Sequence, residues 1–205
     1  MTAADNGARL APIGWDATRA RELTALWRPA AVPARVVRVD RGAAIALAPD
    51  GPVRVSGADV ATGDWVALEG DRIAAVLERR TTVARRAAGR ADAPQRIATN
   101  VDLVVAVHGL DRPLRERRLH RVAALAWEAG ATPLVVLTKA DLPERETVEA
   151  RVIAALPGAD GICPRPRPGA HPDLLPGWAK PPRTLLPPSD PAAGNHTLPH
   201  HPPRP

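Results

Sequence analysis

The hydrophobic period of this chain changes near residue 98, and that change constrains its fold more than any other feature. Between residues 34 and 79 the apolar runs are short. Arg35-Val36-Val37-Arg38-Val39 partly alternates, Asp40-Arg41-Gly42 can turn the chain, and Ala43 to Ala48 returns. Asp50-Gly51 marks another turn before Val53-Arg54-Val55. Gly63-Asp64-Trp65-Val66-Ala67-Leu68 and Arg72-Ile73-Ala74-Ala75-Val76-Leu77 then flank Glu69-Gly70-Asp71. Five short strands joined by tight turns predict a small Greek-key barrel of the OB type. Beyond residue 98 the runs become continuous. Val101 to Val107 is interrupted only by Asp102, as expected for a parallel strand buried on both faces. Leu114 to Ala129 places Leu119, Val122, Ala123, Leu125 and Ala126 on one face and Arg115, Arg117, Arg118 and Arg121 on the other, a helix that Gly130 stops. Pro133 to Leu137 is the next strand. This β-α-β unit predicts a parallel α/β sheet with a right-handed crossover, and Thr147 to Leu156 is a second helix.

Flanking segments differ in character. Residues 1–31 read as an N-terminal extension, loose to residue 14, then a short helix between Trp15 and Trp27 that Asp16 can cap. The barrel is assigned to 32–80. Residues 81–97 form a basic connector, with Arg85, Arg86, Arg90 and Arg96 against the one acid Asp92. An incomplete α/β domain occupies 98–158. Sixteen of the 24 prolines lie between residues 143 and 205, so 159–205 is expected to be a disordered tail that cannot bury enough apolar surface to offset ordering. The net charge of +6 favours a polyanionic partner. A single cysteine, Cys163, excludes an internal disulfide framework and a multi-cysteine zinc site. No apolar run reaches the length of a membrane span, so a cytoplasmic monomer without membrane contact is expected.

Lysine is rare: of 28 lysines and arginines only Lys139 and Lys180 are lysine. Lys139 lies in Thr138-Lys139-Ala140-Asp141, directly after the buried strand, and this stretch resembles the base-recognition loop of a GTPase. Other segments resemble, in order, the bacterial ribosome small-subunit-dependent GTPases whose G-domain motifs are circularly permuted. They are Gly14-Trp15-Asp16, Gly63-Asp64-Trp65-Val66, Gln95-Arg96-Ile97-Ala98-Thr99-Asn100-Val101-Asp102, Leu110-Asp111, and Leu137 to Leu142. The likeness covers roughly 14–158. It implies an OB domain, a permuted G domain and a zinc-binding tail, with GTP and Mg²⁺ as ligands and the 30S subunit with its 16S rRNA as partner. Thr138 stands where asparagine is usual.

Past Gly158 the likeness stops. No G-x-x-x-x-G-K-[ST] loop occurs anywhere. Leu185 to Asp190 sits where the strand leading to that loop should arrive, with Gly194 to Leu198 in the loop's place. Such an ending is what a shifted reading frame gives in GC-rich DNA, and the chain is read as a frameshifted or truncated member.

The resemblance assigns guanine contacts to Asp141, which would accept from N1–H and the 2-amino group and reject adenine. Lys139 would pack its stem over the purine and brace the loop with its ammonium, and Thr138 would tie the motif to the P-loop or touch purine O6/N7. The bland alternative is a turn with Asp141 capping the next helix. Phosphoryl transfer needs a P-loop lysine and held Mg²⁺. Neither has a candidate, and Zn²⁺ likewise lacks ligands, so GTP binding is expected to be weak or lost and hydrolysis absent. Arg79, Arg80, Arg85 and Arg86 are the candidates for rRNA phosphates, against a solvated linker. Trp65 could stack on a base, but its place in a strand favours the core. His196, His200 and His201 read as chance composition. The alternative to a damaged GTPase is a stand-alone RNA-binding module or inert pseudo-GTPase.

Overall fold

The computed structural model describes residues 3–40, 43–56, 59–86, 94–139, 143, 145–156, 162–164 and 184–186. They fall into two units, one running to Asp102 and including Thr184, the other running from Leu103 and including Leu185 and Leu186.

All five strands expected before residue 80 form. They are β1 (Val32–Asp40), β2 (Ala43–Ala48), β3 (Gly51–Val55), β4 (Trp65–Glu69) and β5 (Arg72–Val76). They make one antiparallel sheet in the order β3-β2-β1-β4-β5. Its two outer strands meet through a parallel bridge from Ser56 to Arg72, where the Ile73 amide donates to the Ser56 carbonyl at 3.4 Å. The alternation has its expected consequence: Ala34, Val36, Ala44, Ala46, Val55, Val66 and Leu68 pack into one core. A bulge between Val36 and Arg38 leaves Val37 and Val39 exposed.

Two elements of this unit differ from the expectation. The segment to residue 14, expected to be loose, contains helix α1 (Ala3–Leu10) and a 3₁₀ turn (Ala11–Ile13). Leu10 is the reason, because it is buried against Trp65 and Leu77. The stretch read as a connector carries a hairpin, β6 (Thr82–Arg86) with β7 (Pro94–Thr99), fastened to the preceding loop by a bridge from Thr62 to Ala98. Helix α2 (Ala17–Ala25) is capped as expected, the Asp16 carboxylate accepting from the Arg19 amide at 2.9 Å.

The second unit holds β8 (Leu103–Gly109), α3 (Glu116–Glu128), β9 (Thr132–Thr138), α4 (Arg145–Ala155), β10 (Ile162–Pro164) and β11 (Leu185–Leu186). The sheet order is β10-β9-β8-β11, with every pairing parallel. Leu119 and Ala123 of α3 and Val148 and Val152 of α4 pack with Ala106, Val135 and Leu137 of the sheet. Gly130, at φ 77°, takes the left-handed conformation that ends α3. Within the stretch expected to be disordered, β10 and β11 are strands. The flanks of the β8–β9 pair otherwise present unpaired backbone groups, and short apolar segments satisfy them.

Candidate functional site

The expected base-recognition residues lie at the carboxyl end of β9, beside the carboxyl end of β8. Register fixes this neighbourhood, since Gly109 of β8 is paired with Thr138 of β9. In parallel α/β sheets this is the edge where ligands bind. The Thr138 carbonyl accepts from the Leu110 amide at 3.1 Å, and its hydroxyl donates to the His108 carbonyl at 3.4 Å. Lys139 turns the chain with φ 59°, rare for a residue with a side chain, and its ammonium ion-pairs with Asp111. The Lys139 ammonium holds the Asp111 carboxyl below the usual carboxylate range. A Cβ on Gly109 would lie 2.5 Å from Asp111 Oδ1, so glycine leaves room for that carboxylate. Burial lowers the pKa of His108, whose Nε2 has no hydrogen-bond partner. Ala140 and Asp141 lie outside the described residues, as do His196, His200 and His201.

Sequence reasoning named Leu110-Asp111 only as part of a resemblance. The role of Asp111 as partner of Lys139 was missed, because 28 residues separate them and only the register of β8 on β9 joins them.

The arginine candidates divide. Arg79 clamps the fully buried Asp64, donating from Nε to Oδ1 and from Nη2 to Oδ2, both at 2.8 Å. The Ala61 amide and the Thr99 hydroxyl complete that carboxylate at 2.8 and 2.7 Å. Burial alone would push Asp64 up, but these donors outweigh it and hold its pKa below the usual value. Arg80 grips Asp16 with two bonds of 2.8 and 3.0 Å, and this lowers the Asp16 pKa to about 2. Both guanidiniums therefore have internal partners. Arg85 and Arg86 lie in β6, and their side chains fall outside the described residues. Trp65 is buried against Trp15, ring centroids 5.0 Å apart, so it is a core residue and not a stacking platform. The segment Gly63-Asp64-Trp65 thus has a structural explanation. Gly63 sits at φ 97° where a side chain would collide with the Thr99 carbonyl, Asp64 holds Arg79, and Trp65 fills the core.

Among the described residues no three His, Cys, Asp or Glu side chains converge. They therefore contain no three-ligand zinc site. None of the helices among the described residues is long and apolar enough to cross a membrane.

Residues 76–158 match the RsgA GTPase family. The chain is 38% identical over 167 residues to a small ribosomal subunit biogenesis GTPase RsgA of Streptomyces avermitilis, covering 75% of this chain and 45% of that protein. A protein of the same name from Xanthomonas axonopodis pv. citri is 43% identical over 129 residues, 57% of this chain and 36% of its own length. The chain thus spans less than half the length of these relatives. Among solved structures, YjeQ from Thermotoga maritima aligns with a TM-score of 0.45 at 17% identity, over 62% of this chain and 48% of that one. Residues 76–158 thus carry the chain's likeness to the RsgA GTPase family.

Proposed function

We propose that this chain is a ribosome-binding member of the small-subunit biogenesis GTPases that retains the RNA-binding sheet and the guanine-loop strand but does not hydrolyse GTP. The observation that carries it is Lys139, held in a left-handed turn at the carboxyl end of β9 and tethered by Asp111, within the matched segment. A lysine so placed can lay its stem over a purine, with Thr138 beneath it and Asp141 supplying the carboxylate for guanine. Base contacts alone carry little nucleotide affinity, and no P-loop sequence occurs in the chain.

The antiparallel sheet with its bridged outer strands supports an OB-type domain, the fold in which basic grooves track nucleic-acid backbones. With Arg79 and Arg80 held internally, the 16S rRNA contacts fall to Arg85 and Arg86 and to Arg54 and Arg72, which β3 and β5 leave exposed. The partner is the 30S subunit, the protein acts as a cytoplasmic monomer, and the Mg²⁺ and Zn²⁺ of the intact family are not bound here.

Two titrations test this. Fluorescent GTP should show no saturation at micromolar concentrations, and purified 30S subunits should retain the chain in a salt-dependent manner. Micromolar GTP affinity would overturn the first half, and failure to co-sediment with 30S at low salt the second. Salt-dependent binding to any RNA, indifferent to GTP and to the subunit, would favour the stand-alone RNA-binding module, the reading that the net charge of +6 supports.

A further inference from the structure

Within the unit built on the five-stranded sheet lies a cavity of about 250 Å³ that none of the roles above uses. Two of its lining side chains are arginines almost withdrawn from water, Arg19 at 1% and Arg35 at 8% exposure. A buried guanidinium normally has a carboxylate partner, because desolvating the charge is costly. Arg19 has one, donating to Glu22 at 2.8 Å, and also donates to the Glu78 carbonyl and to Asn100 Oδ1. Its Nε–H, however, is buried without an acceptor.

Arg35 is less well compensated. It donates to the Ile13 carbonyl, to the Asn100 carbonyl at 3.1 Å and to the Thr184 hydroxyl at 2.8 Å, all of them uncharged oxygens. Among the described residues no carboxylate forms an ion pair with it. Asp102 acts on it through space, but one oxygen of that carboxylate is already taken by the Thr184 amide at 2.6 Å. Burial pulls the Arg35 pKa down to about 10, so the guanidinium is still charged at neutral pH. In the same wall Asp16 and Arg80 neutralise each other. Asn100 braces both buried arginines, its side-chain oxygen on Arg19 and its carbonyl on Arg35. Trp15 and Trp65 also line the cavity, and the Arg35 guanidinium lies over the Trp65 ring, 5.2 Å from its centroid.

We propose that this cavity is a binding site for a small oxyanion, a phosphate or carboxylate group, held by Arg19 and Arg35. An oxyanion accepts several hydrogen bonds at once. It would satisfy the unpaired Arg19 Nε–H and give Arg35 a directly bonded anion in addition to the distant Asp102. The site needs neither guanine nucleotide nor RNA.

The test uses the full chain with ¹⁵N-labelled tryptophan. Inorganic phosphate and, separately, acetate are titrated against sodium chloride at constant ionic strength. The indole signals of Trp15 and Trp65 should shift saturably with at least one anion, while Trp127, in the other unit, stays still. Saturation by phosphate alone identifies a phosphate-class ligand, and by acetate alone a carboxylate. Arg35→Lys and Arg19→Lys should each weaken the binding at least tenfold. If neither anion saturates, the cavity holds water only and the proposal falls. Shifts that persist unchanged in Arg35→Lys also overturn it, since they would come from surface arginines. Should the lysine variants fail to fold, wild-type unfolding decides. At phosphate ten times its Kd the folding constant should rise about elevenfold over matched chloride, and no rise is fatal to the proposal.

Discussion

Replacing Asp64 with asparagine should destabilise the five-stranded unit by about 3–5 kcal/mol, the range for leaving half of a buried ion pair behind. Asp64 is fully buried and receives four donors: the Ala61 amide, Arg79 Nε, Arg79 Nη2 and the Thr99 hydroxyl. Asparagine keeps one acceptor oxygen. Its NH₂ group must face donors that formerly bonded a carboxylate, so two charge-assisted bonds go, each worth about 1.5–3 kcal/mol. The Arg79 side chain is 25% exposed and regains some hydration, which trims the upper end of that sum. Arg79→Ala should cost a similar amount, because it leaves the carboxylate with the Ala61 and Thr99 donors alone. The double variant should then be less destabilised than the two single losses added together, with a coupling of about 1–3 kcal/mol. Urea unfolding followed by tryptophan fluorescence measures all four proteins. The folded-state pKa of Asp64 is lowered, so its stabilisation is present above the unfolded value of about 4 and is lost as pH falls through the folded one. Asp64→Asn should remove that part of the acid sensitivity. Single losses below about 1 kcal/mol, or an additive cycle, would refute the reasoning.

Gly63→Ala should destabilise the same unit by about 2–4 kcal/mol, from a strained φ of 97° and collision with the Thr99 carbonyl, readable in the same urea assay. Leu137→Ala removes a fully buried side chain from the core beneath β9 and should cost about 2–5 kcal/mol, measured by thermal unfolding of the second unit. His108 should titrate below the usual histidine value in ¹H–¹⁵N spectra. Because its folded pKa is lowered, its effect on stability is a loss as pH falls through about 6.5, and His108→Gln should flatten that slope.

How much of this was legible in the sequence depended on how far each partner lay along the chain. Strands β1 to β5 follow from local alternation and turn residues, and α3 and β9 from an amphipathic period and a continuous apolar run. These signals need no distant contact. The helix α1 escaped notice because its anchor is tertiary: Leu10 is buried by Trp65 and Leu77, more than fifty residues away. The same distance hides the ion pairs of Arg79 and Arg80. A run of arginines in a linker looks available to phosphate. Yet Asp64 and Asp16 lie 15 and 64 residues earlier, and folding brings each carboxylate onto one guanidinium. Charge counted along a sequence cannot distinguish a cation that faces a ligand from one that locks two elements together.

The same distinction bears on the proposed guanine loop. The resemblance at Thr138-Lys139 rests on a local motif. Its geometry depends on Asp111 and Gly109, which only the parallel register of β8 on β9 delivers. In this chain the geometry at the carboxyl end of β9 is therefore a product of the sheet and not of the tetrapeptide. It should persist with or without nucleotide, because the Lys139–Asp111 pair draws both its partners from that sheet edge and needs no ligand to hold it.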